Sequence, residues 1–403
     1  MKKTRPSPGW GILLLLLLFN RVVDAQRLPK AQPSEVGMSA DQLHRLDEVM
    51  ADALGRQDFP GAVILVGRKG KVVFRKAYGS SQWIPEEQPM RVDMLFDLAS
   101  ITKPVATATA VMLLVEQGKL RLWDRISDFV PGFVPFRDEA GRPGEAIRIW
   151  HLLTHTSGLP PFLHNEEIEQ FLGIPCSLAD MVGYIARIDK LFPASAEFLY
   201  SDLDFILLGH IVEKAAGQDL AGFCRSRIFE PLRMQNTGFI PPPSLHPRCV
   251  PTEVLDGEPL RGIVHDPRAR LLGGVAGHAG LFSTADDLAV FAQMLLNKGT
   301  FDGVRILSPL SVERMTEVYP RVSFAGRGLG WDLDSDYSTN RGDLFGSGSY
   351  GHTGYTGTSL WIDPRTRSFV IFLTNRVHPD DTGEVATWRS RVANVVAAAI
   401  REQ

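Results

Sequence analysis

The sequence predicts an α+β fold, an α/β sandwich. An antiparallel sheet built from both ends of the chain is flanked by helices and carries an inserted all-helical subdomain. Short β-branched runs joined by a tight turn lie near the N-terminus. The long middle repeats apolar residues at helical spacing. A second hairpin pattern and a closing helix end the chain.

The first 25 residues stand outside that fold. Lys2, Lys3 and Arg5 form a positive n-region, residues 12–19 are an unbroken apolar run, and Val23-Asp24-Ala25 offers small residues for cleavage after Ala25. This is the pattern of a secretory signal peptide. The run is shorter than the roughly 20 residues a spanning helix needs. No cysteine lies near the cleavage site, which argues against a lipoprotein, and no second long apolar stretch follows. The mature chain is expected to be soluble, secreted or periplasmic.

Leu43, Leu46, Val49 and Met50 then recur at helical spacing behind Ser39, a fitting N-cap. Residues 62–66 and 71–74 read as strands around the turn Arg68-Lys69-Gly70. Residues 100–117 read as a helix through Val105, Ala108, Met112 and Val115, with Gly118 as breaker. Further helices are expected over 178–188, 202–216 and 284–297, the last capped by Thr284, between Pro- and Gly-rich loops at 131–144 and 241–251. Strands at 358–362 and 368–374 flank the turn at 363–367. A helix over 387–402 closes the chain on Val392, Val395, Val396 and Ala399. The expected organisation is one catalytic domain over 26–403, with a sheet part from 36–98 plus 272–403 and a helical insertion over 99–271. A cleft between the two parts is the natural ligand site.

Composition narrows the function. The chain has 403 residues, 44% apolar, with net charge −3 and pI about 6.4. It can bury a full core, and no basic field calls for nucleic acid. The three cysteines, Cys176, Cys224 and Cys249, are too few for a disulfide framework; one pair is the most that could form, and they read as small buried residues.

Ser100-Ile101-Thr102-Lys103 opens the first long helix. Spacing of three puts both side chains on one face. Helix N-termini also present free N–H groups that stabilise developing negative charge. A serine hydroxyl needs an adjacent base, and a lysine can serve only if its surroundings lower its pKa. Alone, this motif also fits an N-cap serine with a surface lysine. Two further motifs follow in order. Tyr200-Ser201-Asp202 stands at a helix entrance, and His352-Thr353-Gly354, followed by Tyr355, begins the C-terminal strands.

Together these motifs resemble those of the penicillin-binding and serine β-lactamase superfamily, and specifically its class C β-lactamase and D,D-carboxypeptidase-like branch. The segments Leu152-Leu153-Thr154-His155-Thr156-Ser157-Gly158-Leu159 and Gly277-His278-Ala279-Gly280-Leu281-Phe282-Ser283-Thr284 are similar to stretches common there. The resemblance implies a β-lactamase/transpeptidase-like fold and no cofactor. It implies that Ser100 attacks an acyl carbon, that Lys103 and Tyr200 share the proton work, and that the N–H groups of Ser100 and Tyr355 form the oxyanion hole. His352, Thr353 and Gly354 of the third motif, with Asp202 of the second, would face substrate. The implied function is an exported serine hydrolase working through an acyl-enzyme on D-Ala-D-Ala peptides or β-lactams. Alternatives are a carboxylesterase of the same fold, or a low-turnover penicillin-binding, peptidoglycan-sensing protein. The expected partner is a small-molecule or peptidoglycan-peptide substrate, met by a monomer without an integral membrane segment after signal cleavage.

Asp202 replaces the asparagine most common in the family. An ionised aspartate cannot donate to a substrate carbonyl, and it should hold Lys103 charged, which favours Tyr200 as base. His352 replaces a lysine, so an anionic substrate should be held most firmly below neutral pH. Arg376 is a second candidate for a substrate carboxylate. His151 and His155 lie four apart, but no third ligand stands at a metal-like spacing, so capping or core hydrogen bonding is the better reading and no metal is expected. His265, Asp266 and His278 fall in loops that could border the cleft. No G-x-S-x-G and no nucleotide fingerprint is present.

Overall fold

The computed structural model describes Met1, residues 28–173 and residues 176–402. Apart from Met1, the expected signal peptide lies outside the described residues.

Helix α1 (Ala40–Gly55) starts on Ser39, whose hydroxyl accepts from the Gln42 N–H at 3.3 Å. Strands β1 (Gly61–Arg68) and β2 (Lys71–Gln82) form the first hairpin. Its turn residues Lys69 and Gly70 have φ of 50° and 80°, the mirror-image turn that matches strand twist. A short β3 (Gln88–Pro89) follows. The chain then enters α2 (Ala99–Glu116), α3 (Ile149–Leu153), α4 (Leu178–Arg187), α5 (Asp202–Ala216) and α6 (Ala285–Leu296). Strands β4 (Tyr350–Thr353), β5 (Ser359–Asp363) and β6 (Ser368–Thr374) and helix α7 (Ala386–Ala398) complete it.

The strands form one six-stranded sheet in the order β4-β5-β6-β1-β2-β3, antiparallel at every pair. The pair β1–β6 joins the two ends of the chain, from Ala62 opposite Thr374 to Arg68 opposite Ser368. Every residue of both strands is buried, because helices cover both faces. Alternation divides the side chains. Ala62, Ile64, Val66 and Phe372 pack with Leu46, Met50, Trp388 and Val392 of α1 and α7. Val63, Leu65, Ile371 and Leu373 join the core of α2, α5 and α6 on the other face.

Three expectations need correction. β2 runs on to Gln82, because its charged residues sit on a half-exposed face and do not end the strand. α7 ends at Ala398, because Ala399 O accepts from the Ser39 N–H at 2.8 Å and Ile400 bridges Met38. α2 is a 3₁₀ turn over Ala99–Ile101, a π segment over Lys103–Ala108 and an α-helix over Thr109–Glu116. The Thr109 hydroxyl donates to Pro104 O at 2.8 Å. α2 is also long and apolar enough to cross a membrane, which the sequence reading missed; here it is a core helix, with Ile101, Val105, Ala108 and Met112 buried. Cys176, Cys224 and Cys249 are unpaired and buried.

Arg68 ties the two ends of the chain together. Fully buried, it donates to Val36 O (2.9 Å), Gly37 O (2.7 Å), Thr366 O (3.1 Å) and Glu402 O. Arg68→Met would orphan the carbonyls of Val36, Thr366 and Glu402, while Gly37 O keeps the Arg401 N–H, and should lower the unfolding free energy by about 3–5 kcal/mol, read from urea denaturation. Arg68→Lys should recover only part, since an ammonium lacks the fork. Wild-type stability in Arg68→Met would contradict this role.

Candidate active site

Ser100 sits where the small sheet of Phe96–Asp97, Leu281–Ser283 and Gly238–Phe239 meets α2. The approach is pinned on all sides. Leu98 N–H donates to Leu281 O at 2.9 Å, and Thr356 and Thr358 hydroxyls reach Asp97 O (2.7 Å) and Leu98 O (3.1 Å). Buried Asp97 accepts from the N–H of Ala99 (2.9 Å) and His265 (2.7 Å). Burial pushes this carboxyl up despite those two bonds. Ala99 takes φ of 46°, a sparsely populated region for a residue with a Cβ, immediately before Ser100.

Lys103 is 0% exposed. Its three donors go to Ser100 Oγ (2.8 Å), Asp202 Oδ1 (2.8 Å) and His278 O (3.2 Å). Burial alone would lower its pKa, but the charges of Asp202 and Tyr200 outweigh burial and raise it. Lys103 is therefore an ammonium that donates to Ser100 Oγ. The carbonyl of His278 reaches it because Gly277 lies flat against α5: a Cβ at Gly277 would stand 1.9 Å from Phe205 O. Lys103 Nζ lies 4.9 Å from the centre of the Tyr200 ring, and the buried Tyr200 hydroxyl has no hydrogen-bond partner among the described residues.

Ser100 and Tyr200 open into a cavity of about 270 Å³ that His352, Thr353, Gly354 and Tyr355 also line. The structure thus brings the three motifs together, with Lys103 and Asp202 behind Ser100. Arg376 lines the cavity too, but its Nε donates to Tyr355 O (2.8 Å) and its Nη1 pairs with Asp381 (2.8 Å). His352 behaves otherwise than its ordinary pKa suggests. It is buried, and desolvation together with Arg327 and Lys103 holds it well below 6.5. Its Nδ1 faces Thr353 O at 2.8 Å and must carry the proton, leaving Nε2 as an unpartnered acceptor. His352 is neutral near pH 7, so the expected firm anion binding below neutrality does not come from this ring.

Sequence reading missed several residues here. Arg327 and Arg389, 1% and 8% exposed, line the cavity. Arg389 donates to Gly354 O (2.7 Å) and Thr358 O (3.0 Å) and so props the third motif; burial and nearby Arg376 lower its pKa to about 9. Asp204, in the first turn of α5, contacts His155 Nδ1 at 3.0 Å and accepts from the Ser157 hydroxyl at 2.5 Å. His155 Nδ1 also accepts from the Ser201 N–H at 3.2 Å, so the proton between the pair belongs to Asp204. Burial favours that neutral state on both sides, raising Asp204 well above and lowering His155 well below their ordinary values. The His155 ring lies 4.4 Å from that of Tyr200. No motif marks these residues; only their burial does.

His155 is thus a core hydrogen-bonding residue, and His151 separately accepts from Arg148 N–H at 2.9 Å and contacts Ser195 Oγ at 2.9 Å. Asp202, Asp266 and His278 place one ligand atom each within 4.8 Å of one another. Lys103 at 2.8 Å from Asp202, and Arg268 and His278 at 3.0 and 2.9 Å from Asp266, already balance that cluster. His265 stacks on Tyr355 at 5.6 Å.

A family model described as Beta-lactamase matches residues 46–394. A protein of Escherichia coli K12 provisionally named D-alanyl-D-alanine carboxypeptidase is 30% identical, over 91% of this chain and 90% of its own. An N-acetylmuramyl-L-alanine amidase of Bacillus subtilis 168 is 32% identical, over 84% of this chain and 82% of its own. Among solved structures, EstCE1, a hydrolase with promiscuous acyltransferase activity, superposes with a TM-score of 0.72 at 26% identity, over 89% of this chain and 99% of its own. An octameric penicillin-binding protein homologue of Pyrococcus abyssi shares the fold with a TM-score of 0.67 at 23% identity, over 88% of this chain and 77% of its own.

Asp202→Asn removes the strongest influence holding Lys103 charged and leaves burial, which lowers its pKa. Fluorophosphonate labelling of Ser100 should therefore fall off at a lower alkaline pH in the variant than in the wild type. An alkaline limb that stays in place would show that Asp202 does not control Lys103.

Proposed function

The chain belongs to the beta-lactamase family, and from that premise we propose that this serine hydrolase is an exported enzyme that cleaves D-alanyl-D-alanine-type peptides, and β-lactams, through an acyl-enzyme on Ser100. The 2.8 Å bond from Lys103 to Ser100 Oγ carries the reading, since a buried ammonium is held on the hydroxyl that would attack. The relatives named for cell-wall peptide chemistry, matched over most of the chain, support the substrate class.

Lys103 is already charged and cannot accept the serine proton. Tyr200, beside Lys103, takes it as the base while Ser100 Oγ bonds to the acyl carbon. The tetrahedral oxyanion is received by the N–H groups of Ser100 and Tyr355, a contribution often worth about 3–4 kcal/mol per donor. Tyr200 then returns the proton to the leaving nitrogen as the C–N bond breaks. A water, deprotonated by Tyr200, attacks the acyl-enzyme; the carboxylic acid leaves and Ser100 regains its proton.

A second reading, an esterase, is favoured by Asp202. Its carboxylate cannot donate to an amide carbonyl as asparagine would, and an activated ester needs that donor less.

The test is release of D-alanine from an acylated D-Ala-D-Ala peptide, with intact mass after exposure to penicillin. The wild type should release D-alanine and carry the penicilloyl group on Ser100, and Ser100→Ala should do neither. Hydrolysis of p-nitrophenyl acetate without D-alanine release or adduct would replace this reading with the esterase.

A further inference from the structure

The N–H that would receive the oxyanion at Tyr355 belongs to the Gly354–Tyr355 peptide. That peptide is trans, so its N–H points opposite to Gly354 O. Gly354 is pressed against the approach to Ser100: a Cβ there would stand 2.3 Å from Leu98 O. Gly354 O accepts from the Gly357 N–H at 3.0 Å across a tight turn and from Arg389 Nη2 of α7 at 2.7 Å. The next peptide is held too, since Tyr355 O accepts from Arg376 Nε at 2.8 Å. Between these two carbonyls the Tyr355 N–H donates to no described residue, and Tyr355 lines the cavity with Ser100.

Burying Arg389 is costly. It is 8% exposed, its Nε is buried without a partner, and it pairs with no carboxylate among the described residues. Nor do its two acceptors need it. Gly354 O has the Gly357 N–H, and Thr358 O accepts from the Gly354 N–H at 2.8 Å. What the guanidinium adds is direction and polarisation. A cation on Gly354 O fixes the peptide plane and draws electron density toward that oxygen, which makes the N–H on the far side a stronger donor. Arg376 works on the same residue from outside. Its guanidinium carbon is 4.4 Å from the centre of the Tyr355 ring, and its Nη1 pairs at 2.8 Å with Asp381, which also accepts from the Tyr355 hydroxyl at 2.7 Å. Tyr355 is thus fixed at carbonyl, ring and hydroxyl although it is 57% exposed.

We infer that Arg389 and Arg376 are the positioning residues of the oxyanion hole: they hold the peptides on either side of Tyr355 so that its N–H faces the Ser100 site. The inference rests on the reading of Ser100 as nucleophile, and it holds whether the substrate is a peptide or an ester.

The test uses p-nitrophenyl acetate, which both substrate readings allow, and phenylboronic acid, whose boron bonds to the Ser100 oxygen and sets a boron-bound oxygen where the oxyanion forms. Arg389→Gln should lower kcat/KM for the ester and the affinity for the boronic acid in parallel, roughly ten- to a hundred-fold, short of the roughly hundred- to thousand-fold typical of a donor removed outright. Arg389→Lys, which keeps the charge but loses the fork, should recover part of both. Arg376→Met should lower both in the same direction, and it carries the test if the Arg389 variants do not fold. A contact that only holds the fold would lower the melting temperature and leave both quantities at their wild-type values in the folded protein. That result in Arg389→Gln and Arg376→Met would overturn the inference while the Ser100 reading stands. A wild type that neither cleaves the ester nor binds the boronic acid through Ser100 would instead remove the nucleophile reading, and the inference with it.

Discussion

The placement of one buried ammonium organises this protein. Lys103 has no access to water, so all three of its N–H groups need acceptors from the protein. They come from three places in the sequence: Ser100 on its own helix, Asp202 at the start of α5, and the His278 carbonyl in the loop before α6. Satisfying one lysine therefore docks α5 and the 277–281 loop onto α2. That docking also brings Tyr200 and the small sheet to Ser100. Thr107 donating to Gly277 O at 2.6 Å and Thr102 accepting from Leu281 N–H at 3.1 Å fasten the same loop.

Charge then decides which groups can do chemistry. Asp202 keeps Lys103 protonated, so the lysine serves as a donor and an electrostatic neighbour for Tyr200. Around this pair His155, Asp204 and His352 are held neutral. The His155–Asp204 pair shares one proton, and His352 is prevented from charging by burial and by Arg327 and Lys103. A second cation at His352 would compete with Lys103 for the same charge-stabilising role. The neutral ring leaves the positive field of the cavity to the arginines that line it.

Several polar atoms at this site lack partners among the described residues: Tyr200 Oη, His352 Nε2, and Nε and Nη2 of Arg327. Arg68, away from the site, is by contrast paired with four carbonyls. The contrast separates polar groups that hold the fold from polar groups kept available for a ligand.

The sequence by itself determined the sheet built from both chain ends, the capped helices at Ser39 and Thr284, and the three motifs, because each is written in local periodicity and turn chemistry. It also determined that Asp202 would pair with Lys103, since a carboxylate can only accept. It did not determine the protonation of His352, because a pKa depends on burial and on cations that arrive from elsewhere in the chain. It could not single out Arg327 or Asp204, which belong to no motif and look in sequence like ordinary charged residues. The early end of α7 was equally hidden, because it depends on Ala399 and Ile400 meeting Ser39 and Met38 from the opposite end of the chain. Only the tertiary structure decides such things, since desolvation and long-range pairing arise when distant segments close over one another.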